Sequence, residues 1–237
     1  MLLSRGIRLL KTSPSDPKNF DPIDKVLDSH GIEIREKTRM LLKRYFQELT
    51  QWNQRMDLTG LKDLEAMAIN HLGDTLTLLP LIEGRHGIRI MDIGSGAGVP
   101  GLILKILRPD VRITLVDARR RRVSFLRFVI ARLGLNGIEA IHAKIEPEKP
   151  CANLLQAGYD MVISRAVTDI LRLARLARPY LARQGILMAM KGPRGLEEIH
   201  ALGPKLLDEG WVLECVERTL PISGAGRVII VGRYVPH

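Results

Sequence analysis

The stretch IRIMDIGSGAGVPG, residues 88–101, decides the fold of this chain. An apolar run, Ile88, Ile90, Met91 and Ile93, is interrupted by an acid, Asp92. Four glycines then fall within eight residues: Gly94, Gly96, Gly98 and Gly101. Past Pro100-Gly101 the sequence becomes LILKIL, an apolar pattern of helical type. Strand, tight glycine turn and helix bring a backbone close to a nucleotide and aim a helix N-terminus at it. Glycine serves there because it adopts positive φ and carries no Cβ to collide with the ligand.

The glycines admit two readings. Gly96-Ala-Gly98-Val-Pro-Gly101 fits the G-x-G-x-x-G dinucleotide pattern. The overlapping Asp92-x-Gly94-x-Gly96-x-Gly98 resembles the S-adenosylmethionine loop of Rossmann-like methyltransferases, and would place Asp92, Gly94, Ser95, Gly96, Gly98 and Val99 at the cofactor. Asp117 ends the next apolar run (Val111, Ile113, Leu115, Val116), where an acid at a strand tip can accept both ribose hydroxyls.

Outward from this loop the elements alternate. Strands are expected near 88–93, 112–117, 138–142, 159–164, 185–190, 211–219 and 227–234, with helices near 99–107, 119–133, 167–182 and 195–209. Alternation of this kind builds a doubly wound parallel sheet. Only a short turn, residues 221–226, separates the last two strands, so they form an antiparallel hairpin. The expected fold is α/β and Rossmann-like, of the class I S-adenosylmethionine-dependent methyltransferase type: a seven-stranded, mostly parallel sheet with an antiparallel last strand, plus an N-terminal helical region.

Before the sheet domain (84–237) lie a tail, 1–22, with Pro14, Pro17 and Pro22 among polar residues, and a helical cap, 23–83. In the cap a short helix ends near Gly31. A longer one, about 34–55, carries Leu41, Leu42, Tyr45, Phe46, Leu49, Trp52 and Met56 as one core-facing stripe. Two more helical stretches follow, 64–72 and 75–82. His71 and Asp74 lie three apart on one helix face, the spacing of a structural His–Asp hydrogen bond.

A chain of 237 residues with 46% hydrophobic content can bury a substantial core. Its 36 Lys and Arg against 26 Asp and Glu give a formal charge of +10, which favours a polyanionic partner. Two cysteines, Cys151 and Cys215, have no ligand-like spacing, so neither a zinc site nor a disulfide framework is expected. No apolar run reaches the ~18 residues of a membrane span. Residues 1–12 do not read as a signal peptide, and a cytoplasmic protein is expected.

The ends of the strands suggest the chemistry. Asp117 is followed by Ala118 and then by Arg119, Arg120, Arg121 and Arg122 at a helix N-terminus, the unfavourable end for cations. A polyanion such as RNA would relieve that cost. Lys144-Ile145-Glu146 follows the third strand, where an apolar residue and an acid can bracket an adenine. Ser164-Arg165-Ala166 ends the fourth strand, in place of the Asn/Asp-Pro-Pro-aromatic tetrad of enzymes that methylate exocyclic adenine nitrogen. Cys151 lies before that strand, the wrong place for a pyrimidine-attacking thiolate. No general base stands out. Guanine N7 carries its own in-plane lone pair and needs none; its methylation asks mainly for alignment.

These residues together resemble the RsmG (GidB) family, bacterial methyltransferases that modify guanine N7 in small-subunit (16S) ribosomal RNA. The resemblance runs over residues 23–235. Trp52-Asn53 with Met56-Asp57-Leu58-Thr59 is similar to W-N-x-x-x-N-L-T, and His71-Leu72-Gly73-Asp74-Thr75 to H-I-L-D-S. Asp92–Gly101 with its closing Pro-Gly is the most specific block. Leu115-Val116-Asp117, Arg121-Arg122 and Phe125-Leu126 resemble L-x-D-S-x-x-K-R-x-x-F-L. Ser164-Arg165-Ala166 and Lys191-Gly192 resemble S-R-A and K-G.

The resemblance implies cofactor contacts at Gly94, Val99, Ile145, Glu146 and Arg165, with Asp117 on the ribose and Arg165 between cofactor and substrate. RNA contacts are expected at Arg119–Arg122, Lys144, Lys191 and Arg227, and the enzyme is expected to be a monomer. Asp57 stands where Asn is usual, Arg121 where Lys is usual, and Lys144 where Arg is usual, which turns a bidentate phosphate contact into a point charge. Arg172, Arg175 and Arg178 form a further basic stripe. With 4% aromatics, no motif of stacking aromatics is expected. The competing readings are a nicotinamide-dependent oxidoreductase and an RNA-binding ribosome assembly factor with a vestigial cofactor pocket.

Overall fold

The computed structural model describes residues 7–9, 21–155, 158–165 and 167–235. Of residues 1–22, read from the sequence as a tail, β1 (Ile7–Leu9) pairs antiparallel with β2 (Ile32–Ile34), and Pro22 opens the first helix. Residues 1–6 and 10–20 lie outside the described residues, as does Ala166 of the Ser-Arg-Ala motif.

α1 (Pro22–Ser29) starts where the Asp21 carboxylate accepts the Ile23 N–H at 2.9 Å, with Pro22 in the first turn. α2 (Glu36–Met56) buries Leu42, Tyr45, Phe46 and Leu49, the middle of the expected stripe. It ends on Asp57, whose φ of 48° lies in the left-handed region. The two stretches expected at 64–72 and 75–82 are joined, as α3 (Leu64–Met67), a π turn (Ala68–Leu72) and α4 (Gly73–Leu76) in unbroken succession, followed by a 3₁₀ turn (Leu79–Ile82).

The sheet domain follows the expected alternation. Its elements are β3 (Arg89–Ile93), α5 (Gly101–Leu107), β4 (Arg112–Asp117), α6 (Arg120–Leu133), β5 (Ile138–His142), α7 (Ala152–Leu155), β6 (Tyr159–Arg165) and α8 (Ile170–Ala177). β7 (Leu181–Lys191), α9 (Gly195–Asp208), β8 (Trp211–Thr219) and β9 (Gly226–Tyr234) complete it. Seven strands lie in the order β5-β4-β3-β6-β7-β9-β8. Only β9 runs against the rest, inserted between β7 and β8.

Side chains alternate across the sheet with period two, and the two faces bury two separate clusters. Ile90, Met161, Ile163, Met188, Met190 and Ile229 pack with α1, α2, α5 and α6. Met91, Ile93, Val162, Leu187, Ala189 and Ile230 pack with α8 and α9. The N-terminal helices therefore share the core of α5 and α6. β3 lies between β4 and β6, where the order of connection reverses, so the crevice for a ligand opens above its carboxyl end.

Candidate active site

A cavity of about 370 Å³ opens at that crevice. Its floor is the glycine turn. The N–H groups of Gly94 and Ser95 both reach the Val116 carbonyl, at 2.8 and 3.1 Å, and clip the turn to β4. Gly98 has φ 92°, and a Cβ there would lie 2.8 Å from Leu102 Cβ. At Gly101 it would lie 2.7 Å from Asp92 Oδ2, so α5 can enter over Asp92 only without a side chain. Tyr45 is fully buried, and its hydroxyl donates to the Ala97 carbonyl at 2.9 Å, tying the turn to α2.

Asp92 lies beneath the turn. Its Oδ2 accepts the Gly101 N–H at 2.9 Å while Oδ1 is buried with no partner. Burial pushes this carboxyl up to about 7, against the pull of the Gly101 N–H. Asp117 sits behind Gly96 and accepts its N–H at 2.9 Å; its other oxygen accepts the Arg119 N–H at 2.7 Å at the head of α6. Arg122 stands 3.5 Å from the same carboxylate.

The opposite wall is built from three distant parts of the chain. Arg165, the last residue of β6, directs Nη1 to Asp74 Oδ2 at 2.9 Å and to His71 Nδ1 at 3.1 Å. Because Nδ1 takes a donor, the ring proton is on Nε2, which meets the Thr59 hydroxyl at 3.0 Å. Burial, reinforced by Arg165, pushes the imidazole down to about 3, so it stays neutral. The second Asp74 oxygen accepts from Arg227 Nε at 2.6 Å. No hydrogen bond joins His71 to Asp74, contrary to the expected pair. The π turn widens the helix at Ala68–Leu72, and both side chains meet Arg165 instead. Among the described residues, Nε and Nη2 of Arg165 have no partner.

The cavity wall thus gathers Gly94, Ser95, Gly96, Val99, Arg122, Arg165, Lys191 and Arg227 of the residues singled out from sequence. Asp92, Gly98 and Asp117 shape it from behind. Ile145 and Glu146 are not in the wall. Ile145 packs against the second core cluster, and Glu146 pairs with Lys144 at 2.5 Å, an interaction that holds its carboxyl below the usual range. Arg119, Arg120 and Arg121 are exposed at the head of α6. Lys191 donates to the Thr168 carbonyl at 2.5 Å and to Glu198 at 2.9 Å, which pins the loop after β6. Val167 in that loop rests on Gly94. In the basic stripe, Arg175 pairs with Glu209 at 3.0 Å and Arg178 lies 4.1 Å from the Tyr234 ring centre.

Thr59 and Tyr45 were not foreseen as site residues. Asn53 brings Thr59 in: its amide accepts the Thr59 N–H and donates to the Leu61 carbonyl, both at 2.8 Å, and so folds the loop after α2 toward His71.

Comparison with known proteins gives this arrangement a family. The description "rRNA small subunit methyltransferase G" (GidB) matches residues 38–219. The chain belongs to that family. Relatives named ribosomal RNA small subunit methyltransferase G include one from Geobacter sp. (strain M21), 35% identical over 86% of this chain and 92% of its own length. Another, from Desulfotalea psychrophila, is 37% identical over 90% and 98%. A solved structure of an S-adenosylmethionine-dependent methyltransferase from Aquifex aeolicus shares the fold, with a TM-score of 0.54, 14% identity, and coverage of 80% of this chain and 98% of its own. Family membership displaces the oxidoreductase reading. The matched span holds the glycine turn, His71, Asp74 and Arg165, whereas Arg227 lies beyond it and enters the site through Asp74.

Proposed function

We propose that this protein transfers the methyl group of S-adenosylmethionine to N7 of a guanine in small-subunit ribosomal RNA, acting as a cytoplasmic monomer. The cofactor supplies an electrophilic methyl group on a sulfonium centre. The residues present fit it. The buried Ser95 hydroxyl has no partner, and Gly94 and Gly96 leave backbone bare along the floor. Asp117 ends β4 beside the glycine turn, and its carboxylate, held by the Gly96 and Arg119 N–H groups, is the acceptor proposed for the ribose hydroxyls. Asp92 and Gly98 hold the turn in shape, whereas Ile145 and Glu146 stand outside the cavity wall and keep only the adenine role that the family resemblance implies. The helices of 23–83 act as a cap that brings Thr59, His71 and Asp74 over the sheet.

One observation carries the choice of acceptor. Among the described residues, no side chain of the cavity wall is free to act as a base. Both Asp74 oxygens face arginines, and the nearby His71 holds its lone pair toward Arg165. A cavity without a base suits an atom that already offers a lone pair, and guanine N7 is one. What the chain contributes is orientation, through Arg165, which Asp74 and His71 hold in one geometry at the cavity wall. Arg119–Arg122, Lys144, Lys191 and Arg227 receive the RNA. No described helix is long and apolar enough to cross a membrane.

The test is transfer of labelled methyl from S-adenosylmethionine to small-subunit ribosomal RNA from a strain lacking this protein, followed by borohydride and aniline cleavage. One strand break at one guanine is expected. Label without a break would move the target atom, and no label on RNA or on assembling subunits would overturn the proposal.

A further inference from the structure

Aromatic side chains are scarce in this chain, and among the described residues Phe128 is the sole one that is exposed, at 40%. It stands on α6 with its ring centre 5.1 Å from that of Trp52 on α2, which also meets Phe125 at 5.5 Å. Beside Trp52 a second cavity of about 350 Å³ is lined by Gln51, Gln54, Arg55 and Met56. The site already described uses none of these groups.

We infer that the Trp52–Phe128 patch is a nucleobase-stacking subsite for an unpaired nucleotide flanking the target guanine. The inference rests on the function proposed above. Three features choose RNA as the occupant. First, the patch is ringed by cations and amides: Arg55, Gln51 and Gln54 border it, Arg121 lies two helical turns before Phe128 on the same face, and Arg132 bridges to Glu48 on α2 at 3.4 Å. Aromatic faces among arginines are the arrangement that holds single-stranded bases. Second, the patch adjoins the candidate active site along both elements. Met56 is two residues from Leu58 of that cavity wall, and Arg122 of the wall lies six residues along α6 from Phe128, a rise of about 9 Å with a turn of roughly 120° around the helix. A rise of that size is on the scale of one or two nucleotides of backbone. Third, an apolar patch offered to a protein partner would gain little from Arg55 and Arg121, whereas a phosphate backbone would neutralise them.

Phe128→Leu keeps an apolar side chain against Trp52 but removes the stacking face, and Phe128→Trp restores one. For methyl transfer to transcribed small-subunit ribosomal RNA, Phe128→Leu is expected to raise KM about five-fold or more, the scale of one base stack removed. The kcat and the dissociation constant for S-adenosylmethionine should not change, and Phe128→Trp should return KM toward the wild-type value. In parallel, a single-stranded oligonucleotide should quench Trp52 fluorescence, whereas an abasic strand of equal length should not. This second readout needs no methyl transfer, so it stands even where the proposed reaction fails. An unchanged KM, an equal defect in both variants, or equal quenching by the abasic strand would overturn the stacking subsite. So would a defect of Phe128→Leu on whole subunits but not on naked RNA, which would hand the patch to a protein.

Discussion

Asp92 and His71 are both buried, yet burial moves them in opposite directions because it disfavours charge on each. The Asp92 carboxyl rises from 3.8 to about 7, and the His71 ring falls from 6.5 to about 3. From about pH 4 to pH 7, folded Asp92 keeps a proton that the unfolded chain releases. Its contribution to stability therefore declines as pH rises through that window and is level above it. For His71 the unfolded ring takes a proton that the folded ring refuses, so its contribution declines as pH falls from about 6.5 to about 3. The unfolding free energy of wild type minus Asp92→Asn, measured by urea titration, should fall with pH across the first window. The same difference against His71→Gln should rise with pH across the second, and a flat curve would remove that group from the account. Asp117 is tested through binding. Asp117→Ala should weaken S-adenosylmethionine by about 1–3 kcal/mol if the carboxylate holds the ribose, and calorimetric titration of the folded variant measures this. An unchanged dissociation constant would leave Asp117 only its bonds to Gly96 and Arg119.

At the level of elements, the end of α2 is the point of strain. Asp57 occupies the left-handed region with φ 48°, where glycine and asparagine are easier, and it puts a negative charge at a helix C-terminus. Asp57→Asn should relieve both and raise stability by roughly 0.3–1 kcal/mol, read as a higher Tm and an increased urea midpoint. A lower Tm would mean that the Asp57 carboxylate holds the loop of Leu58 and Thr59 in a way its backbone does not explain. Elements of this kind also show what could be read in advance. β3 and β4 were legible because each is a compact apolar run closed by glycine or an acid, and β9 was legible as antiparallel because residues 221–226 leave no room for a crossover. The π turn was not. Its residues carry an ordinary helical pattern, and the extra residue follows from what His71 and Asp74 meet, namely Arg165, 94 and 91 positions along the chain. The β1–β2 ribbon escaped for a related reason, since three-residue strands carry too short an alternation to read. The glycine turn, by contrast, is a local motif whose geometry is set by its own φ angles, so its residues could be named without knowing their partners.

Across the whole molecule, the charge of +10 is distributed with a purpose at one place above all, the head of α6. Three exposed arginines, Arg119, Arg120 and Arg121, crowd the positive end of a 14-residue helix, and among residues of the first turn no acid offsets them. Asp117 relieves part of this, through the Arg119 N–H and the neighbouring Arg122, but its carboxylate is buried behind Gly96. The remaining repulsion is a cost to the free protein that a phosphate backbone would remove. Replacing Arg119, Arg120 and Arg121 by Gln, with Arg122 kept for Asp117, should therefore act in opposite directions on stability and on binding. The Tm should rise by the equivalent of a few tenths of a kcal/mol, as cations leave the helix N-terminus. Binding to small-subunit ribosomal RNA should weaken, and the slope of log K against log salt should flatten by roughly 0.7–0.9 for each phosphate that is no longer neutralised. A gain in Tm with an unaltered slope would show that these arginines face only solvent. In that case the RNA would have to be received by Arg55 and the Trp52–Phe128 patch beside it.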